Sequence, residues 1–172
     1  HLEQAGKVRH FGVSNQNPMM MELLKTAVKQ PFKVNQLQLS AAFTPSFEAG
    51  FHVNMEGPKA AVRDGSVFEY CRLTDTVIQA WSVLQHGFFK GNFVGKEEFA
   101  ALNHVLNDLA KKYQVTPTAI ALAWVLRYPG KMQAVIGTTK PQHVLEAGKA
   151  VAVTLTRKEW YQIYLAAGND LP

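Results

Sequence analysis

The chain has 172 residues, which is enough for one domain with its own hydrophobic core. Its hydrophobic fraction of 47% is that of a globular protein, and no apolar run approaches the roughly 20 residues that cross a bilayer, so no membrane partner is expected. The net charge of +5 is scattered rather than gathered in a basic stripe with interleaved aromatic residues. This argues against a nucleic-acid partner and favours a small, phosphate-rich ligand.

The ends of the chain and its cysteine content point to a piece of a cytoplasmic protein. The single cysteine, Cys71, cannot form an internal disulfide, and no signal peptide is visible. Residues 1–5 followed by Gly6 are typical of the last turn of a helix with its glycine cap. A protein that opens on such a turn is expected to be truncated.

The first part of the chain predicts two strands joined by a helix. Residues 8–13 form a short apolar strand, and Asn17 with Pro18 begins a helix, because proline suits the first helical position. Residues 32–39 alternate as a second strand. Residues 40–64 fit neither helical nor strand periodicity, which predicts a long loop.

The rest of the chain alternates between helices and strands. The predicted elements are a helix at 66–73, a strand at 76–84, an irregular segment at 85–91, a helix at 96–113, a helix from Pro117 to Gly130, a strand at 133–136, a helix at 141–151 and a final helix that opens with a capping box at Thr156 and Glu159. Thr116 is the predicted cap of the helix that begins at Pro117.

This order predicts an α/β fold with four parallel strands, crossover helices and a C-terminal helix. Four such units make half of a (β/α)8 TIM barrel, so residues 1–172 are interpreted as a single partial barrel domain. The alternative from the pattern alone is an open doubly wound sheet. No Gly-x-Gly-x-x-Gly motif follows a predicted strand, so a classical dinucleotide fold has no support.

Polar residues and one large aromatic residue follow the predicted strands, where a barrel binds its ligands. They are Ser14, Asn15, Gln36, Trp81, Ser82, Thr138 and Thr139. Amides and hydroxyls suit a carboxamide and phosphates, and an indole can stack on a pyridine ring. The set lacks clustered histidine, cysteine or carboxylate side chains, which argues against a metal site.

Four segments in register resemble the aldo-keto reductase family over nearly the whole chain. They are residues 6–15, Asn35-Gln36, residues 80–84 and residues 136–141. The resemblance identifies the chain as the C-terminal half of that family's barrel. The ending, from Trp160 to Pro172, most resembles the bacterial YdhF-like branch.

The resemblance implies a nicotinamide cofactor site, with NADP expected and NAD left open. The implied cofactor-binding residues are Ser14, Asn15 and Gln36 at the carboxamide, Trp81 stacked on the nicotinamide, Ser82 and Leu84 along the pyrophosphate, Thr138 and Thr139 at the adenosine phosphate and ribose, His143 near a 2′-phosphate, and Glu146 near the adenine. Trp81 stands where the family usually has Tyr, His143 where it often has Arg, and Ala147 where it commonly has Asn.

Simpler interpretations of these residues stay open. Ser14 and Asn15 could form only an Asx turn, Gln36 an amide of the barrel interior, and Trp81 plain core. Thr138 and Thr139 could only cap a helix, and His143 could be a solvated surface residue.

The resemblance implies that the catalytic Tyr, Lys, Asp and His precede the fifth barrel strand, so none maps to this chain and no catalytic residue is predicted in it. The predicted function is part of an NAD(P)H-dependent reductase of small aldehydes or ketones. The first alternative is a catalytically inactive cofactor-binding half-barrel, and a weaker one is a fragment of a doubly wound domain that binds a protein. The two open edges of a half-barrel would be covered by self-association or by a missing N-terminal half.

Overall fold

The computed structural model describes residues 1–51, 66–87 and 90–171. The strands are β1 (Phe11–Ser14), β2 (Phe32–Gln38), β3 (Val77–Trp81) and β4 (Met132–Ala134). The helices are α1 (Pro18–Ala27), α2 (Pro45–Phe51), α3 (Val67–Leu73), α4 (Ala100–Tyr113), α5 (Pro117–Leu126), α6 (Pro141–Gly148) and α7 (Arg157–Ala166), with 3-10 turns at Glu97–Phe99 and Lys149–Ala152. Among the described residues, no helix is both long and apolar enough to span a membrane.

The four strands form one parallel sheet in the order β1-β2-β3-β4. Each strand returns to the same direction through helical connections, which confirms the predicted α/β fold with four parallel strands and crossover helices. Because all strands run the same way, their carboxyl ends lie along one edge of the sheet, where α/β folds bind ligands.

The two faces of the sheet have opposite character. Leu37, Ile78 and Ala80 are buried on the face that the helices cover. On the other face, Gln36 is half-buried and Gln133 is exposed. Parallel sheets are normally covered on both sides, so the partial exposure of Gln36 and the exposure of Gln133 make this the more open face of the sheet.

The core lies between the sheet and helices α4, α5 and α7. Helix α5 is buried on nearly all sides because it packs against the sheet, α4 and the last helices. Trp124 of α5 and Trp160 of α7 stack with centroids 4.8 Å apart. Each indole N–H donates to the other residue's backbone carbonyl, at 3.0 and 3.1 Å, so both polar groups are satisfied inside the core.

Three helices begin where the capping residues predict. The side chains of Asn17, Thr116 and Thr156 accept hydrogen bonds from backbone N–H groups three residues later, and the Thr156–Glu159 capping box is complete. These caps satisfy donors that the first helical turn would otherwise leave without partners.

The prediction of a loop over residues 40–64 is wrong in its first part. Ser40 and Phe43 pair as an isolated bridge, and α2 follows at Pro45. Phe47 of α2 is 3% exposed, and its ring centroid lies 5.5 Å from that of Phe68. Burial of the Phe47 ring therefore stabilises the helix. The remainder of the predicted loop, residues 52–65, lies outside the described residues.

Several elements are shorter than predicted. The third strand ends at Trp81 rather than residue 84, because the backbone turns at Ser82 with φ 52°. The fourth strand covers Met132–Ala134, and α5 ends at Leu126 rather than at Gly130. The predicted helix over 141–151 is α6 followed by a 3-10 turn.

Candidate functional site

The backbone turns sharply at the carboxyl ends of two strands. Asn15 after β1 and Ser82 after β3 have φ of 54° and 52°, in the left-handed region that few residues other than glycine adopt. The Asn15 N–H donates to the Gln36 carbonyl at 2.9 Å, and the Gln85 N–H donates to the Ser82 carbonyl at 2.8 Å. Strained backbone held by hydrogen bonds is concentrated at functional sites, so this edge of the sheet is the first place to look for one.

A cleft of about 520 Å³ opens at this edge, between the ends of β3 and β4. Its lining includes six of the predicted site residues: Trp81, Ser82, Leu84, Thr138, His143 and Glu146. The volume lies within the range of small-molecule and cofactor sites. The lining combines one large aromatic face with hydroxyl, imidazole and carboxylate groups, which suits a ligand with both flat and polar parts.

The β4 side of the cleft is a loop that leads into α6. Thr138 Oγ1 lies 3.4 Å from His143 Nδ1 and accepts a hydrogen bond from the Lys140 N–H at 3.2 Å. Helix α6 begins at Pro141 with no side-chain cap and no acidic residue in its first turn. The positive end of the helix dipole therefore lies beside the cleft without an acidic group of that turn to offset it.

Glu146 lies one turn further along α6, where its carboxylate accepts a hydrogen bond from Gln142 Nε2 at 2.9 Å. It is half-buried in the cleft wall beside Ala147. A carboxylate at this depth can accept a hydrogen bond from an amino group of a ligand.

Ser14, Asn15 and Gln36 lie together where β1 ends beside β2, outside the lining of the cleft. Ser14 and Gln36 are direct partners in the sheet register, and Ser14 Oγ donates to the Gln36 carbonyl at 3.3 Å. Gln36 pairs in turn with Gln79 of β3, two residues before Trp81 on the same face. Gln79 of β3 therefore connects this group of polar residues with Trp81 in the cleft wall.

Asn35 holds the loop that carries Ser14 and Asn15. Its side chain is fully buried, donates to the Gln16 carbonyl at 2.8 Å and lies within 3.5 Å of the Gln16 N–H. The buried amide thereby fixes the turn after β1 against β2. Asn35 belongs to the motif recognised in the sequence, and its contacts give that residue a structural role.

A segment after β3 forms the other wall of the cleft. Gln85 and Asn92 pair as an isolated bridge, and both line the cleft. Asn103 of α4 binds the end of this segment through four hydrogen bonds to backbone groups between Phe93 and Phe99. Residues 88–89, in the middle of the predicted irregular segment, lie outside the described residues.

Thr139 is the one predicted site residue near β4 that does not line the cleft. It is exposed beside Thr138. Sequence reasoning missed other lining residues, notably Thr118 and Leu122 of α5. They lie on a helix rather than after a strand, so the search along strand ends could not find them.

Burial raises the pKa of four described side chains that lie away from the cleft. Burial raises the pKa of Cys71 to about 11 and that of Tyr164 to about 12. Burial also raises the pKa of Tyr128 and Tyr113. None of the five tyrosines, all of which the structure describes, lines the cleft.

No group of three or more histidine, cysteine or acidic side chains is placed to hold a metal ion within residues 1–51, 66–87 and 90–171. The donor set at the cleft, of amides, hydroxyls and a carboxylate around an indole, fits an organic ligand.

Comparison with known proteins gives a consistent family. The model of the aldo/keto reductase family matches residues 1–166. The chain is 32% identical to 6-dehydroglucose reductase of Agrobacterium fabrum and 30% identical to the oxidoreductase YdhF of Escherichia coli. These alignments cover 99% and 100% of this chain but 50% and 52% of the relatives, so the chain spans about half the length of the curated relatives it matches.

Solved structures share the fold at low sequence identity. The thermostable aldo-keto reductase Tm1743, in complex with the inhibitor epalrestat, superposes with a TM-score of 0.68 at 20% identity, over 96% of this chain and 51% of that chain. The aldose reductase of Giardia lamblia gives a TM-score of 0.67 at 18% identity, over 95% of this chain and 46% of that chain. Both matches establish the barrel fold to which this chain's four parallel strands correspond.

Proposed function

Because this chain belongs to the aldo/keto reductase family, we propose that it carries the nicotinamide cofactor site of an NAD(P)H-dependent reductase of small aldehydes or ketones. The observation that carries the proposal is the cleft in which Trp81 of β3 meets Thr138 and His143 beside α6. Residues 1–172 are taken as one partial barrel domain.

Trp81 supplies the flat surface for the nicotinamide. It lies half-buried at the end of β3 and lines the cleft. An indole presents a larger face than the phenol usual in the family, and aromatic stacking contributes about 0.5–1.5 kcal/mol beyond area burial. Ser82 and Leu84 follow it along the wall and are assigned to the pyrophosphate.

The α6 side of the cleft suits the phosphate end of the cofactor. The α6 dipole favours negative charge there, and Thr138 offers a hydroxyl. Exposed Thr139 is assigned to the ribose on the outer side. His143 is assigned to a 2′-phosphate, which favours NADP over NAD, and Glu146 to the adenine amino group.

The carboxamide of the nicotinamide is assigned to Ser14, Asn15 and Gln36. Their hydroxyl and amide groups match the donors and acceptors of a carboxamide, and the hydrogen bonds to the Gln36 carbonyl hold them at one strand end. By fixing the carboxamide, these residues decide which face of the ring is presented to the substrate.

The bound cofactor would supply the hydride for reduction of the carbonyl carbon. The chain's own residues bind and orient the cofactor, and Trp81 excludes water from one ring face. Protonation of the product oxygen needs an acid that the chain's tyrosines do not supply at this cleft, since none of the five lines it. Catalysis is therefore assigned to residues of an N-terminal half of the barrel.

A second candidate function is a cofactor-binding half-barrel without catalysis. The placement of all five tyrosines away from the cleft favours it for the chain taken alone. The discriminating measurement is NADPH oxidation in the presence of a generic aldehyde. Turnover that follows the purified chain would contradict the inactive alternative.

The test of the cofactor site is a calorimetric titration of the chain with NADPH and NADH. We expect binding, tighter for NADPH, and we expect Trp81→Leu to weaken it about tenfold because the stacking surface is lost. Trp81→Tyr, which keeps an aromatic face, serves as the matched control and retains most of the affinity. Absence of binding to either cofactor by the folded wild-type chain would overturn the proposal.

A further inference from the structure

Three glutamine side chains form a continuous ladder across the more open face of the sheet. Gln36 of β2, Gln79 of β3 and Gln133 of β4 are register partners, and neighbouring strands lie about 4.8 Å apart. Gln36 Nε2 donates to Gln79 Oε1 at 2.9 Å, and Gln79 Nε2 donates to Gln133 Oε1 at 2.8 Å. Only Gln36 of the three was predicted as a site residue.

The ladder has a direction, because Gln36 and Gln79 each donate toward β4. Gln79 accepts from the Nε2 atom of Gln36. The side-chain oxygen of Gln36, Oε1, is therefore left on the side toward β1 and Ser14. Rotation of the three amides by half a turn would reverse this and present the Gln36 N–H groups instead. The orientation of Gln36 is therefore set by its neighbours on the ladder.

The backbone contacts of Gln36 cannot set this orientation. Ser14 Oγ and the Asn15 N–H both bind the Gln36 main-chain carbonyl, which fixes the backbone and leaves the side-chain amide able to rotate. Hydrogen bonding to Gln79 is the described contact that distinguishes the two ends of the Gln36 amide.

We infer that Gln79, supported by Gln133, is a positioning residue that turns the side-chain oxygen of Gln36, Oε1, toward the carboxamide N–H of the nicotinamide. This inference rests on the proposed cofactor site and assigns a role in recognition to two residues outside it. The ladder makes Gln36 an acceptor, and the site thereby distinguishes a carboxamide from a group of the same shape that has no N–H.

The experiment compares three ligands by calorimetry. NADP⁺ carries the carboxamide, its 3-acetylpyridine analogue keeps the carbonyl but has no N–H, and 2′-phospho-ADP-ribose lacks the pyridine ring. We expect the wild-type chain to bind NADP⁺ about two- to tenfold more tightly than the analogue, the effect of one hydrogen bond. In Gln79→Leu we expect the ratio of the affinity for NADP⁺ to that for the 3-acetylpyridine analogue to fall to about one. The affinity for 2′-phospho-ADP-ribose should stay unchanged.

Gln79→Glu is the rescuing variant. Its carboxylate still accepts from Gln36 Nε2, and the exposed Gln133 can turn its own amide to donate, so the preference for NADP⁺ returns. Circular dichroism checks that each variant is folded. If Gln79→Leu does not fold, Gln133→Leu at the exposed end of the ladder is used, with a smaller loss of preference expected.

The outcomes separate the inference from the proposal beneath it. A wild-type preference that persists in folded Gln79→Leu overturns the role of Gln79 and leaves the cofactor site standing. A wild-type chain that binds neither NADP⁺ nor 2′-phospho-ADP-ribose overturns both. Loss of 2′-phospho-ADP-ribose binding in Gln79→Leu would show a general structural effect and also contradict the positioning role.

Discussion

At the residue scale, Glu159 joins the last helix to α4. Its carboxylate accepts hydrogen bonds from Lys112 Nζ, from the Tyr113 hydroxyl at 2.8 Å and from the N–H and hydroxyl of Thr156 at 2.7 and 2.8 Å. Burial alone would raise the pKa of this carboxyl, but the hydrogen bonds outweigh it and lower the pKa to about 2. The capping box that the sequence predicts is thus part of a larger charged network.

We expect Glu159→Gln to lower the free energy of unfolding at pH 7 by about 1.5–3 kcal/mol, the range for hydrogen bonds to a charged group. Because the folded pKa is depressed from 4.5, the stabilisation is complete above pH 4.5 and is lost as the pH falls toward about 2. Urea unfolding at pH 7 and through this acid range measures both effects. The variant should lose less stability than the wild type between pH 4.5 and 2.

The control is Glu22→Gln, which removes an exposed carboxylate paired with Lys25 at 2.7 Å. Exposed ion pairs contribute about 0–1 kcal/mol, so this variant should unfold almost as the wild type does. Equal behaviour of the two variants would contradict the role assigned to Glu159.

At the scale of elements, α4 anchors the segment that forms one wall of the cleft. Asn103 Oδ1 accepts from the Gly95 N–H at 2.8 Å, while its Nδ2 donates to the carbonyls of Phe93, Lys96 and Phe99 at 2.9 to 3.1 Å. One buried amide thus hydrogen-bonds four backbone groups of a segment whose described regular structure is the 3-10 turn at Glu97–Phe99.

We expect Asn103→Leu to lower the free energy of unfolding by about 2 kcal/mol, because it removes four hydrogen bonds to backbone groups, among them the one that the Gly95 N–H donates. The variant should also weaken NADPH binding, since the segment continues from Asn92 in the cleft wall. Thermal unfolding and hydrogen exchange of the amides at 93–99 measure these effects. Asn107→Leu, at an exposed position of the same helix, is the control, and equal exchange in both variants would contradict the anchoring role.

The sequence was sufficient to predict elements whose signals are local. Asn17, Thr116 and Thr156 marked helix starts correctly because a cap depends only on the next three residues. Helix α2 was missed although Pro45 suits a first helical position, because residues 40–64 show no helical periodicity.

Part of the candidate site was predictable from strand ends, and His143 and Glu146 of α6 were predicted from the family resemblance. Trp81 and Thr138 were found from strand ends, and both line the cleft. Gln79 and Gln133 were missed because a cross-strand ladder depends on the register between strands, which no single segment specifies. Asn103 was missed because its partners are backbone groups that form no pattern in the sequence.

At the scale of the whole molecule, the sheet has two edge strands, β1 and β4, and one face that is more open than the other. Exposed apolar side chains lie on the helices that follow the two edge strands in the chain. Met19 and Leu23 of α1 are 66% and 61% exposed, and Leu145 of α6 is 67% exposed. Open strand edges together with exposed apolar side chains favour association with another surface of the same kind.

We therefore expect the 172-residue chain by itself to associate in solution, with an average mass above the 19.1 kDa of one chain in sedimentation velocity. Leu23→Lys should reduce association, because it replaces an exposed apolar side chain of α1 with a charge in a chain that already carries a net charge of +5. Leu73→Lys is the control, since Leu73 is 85% exposed on α3, which leads into the interior strand β3. A cooperatively folded monomer at all concentrations would contradict the prediction, and equal association of the two variants would place the contact away from α1.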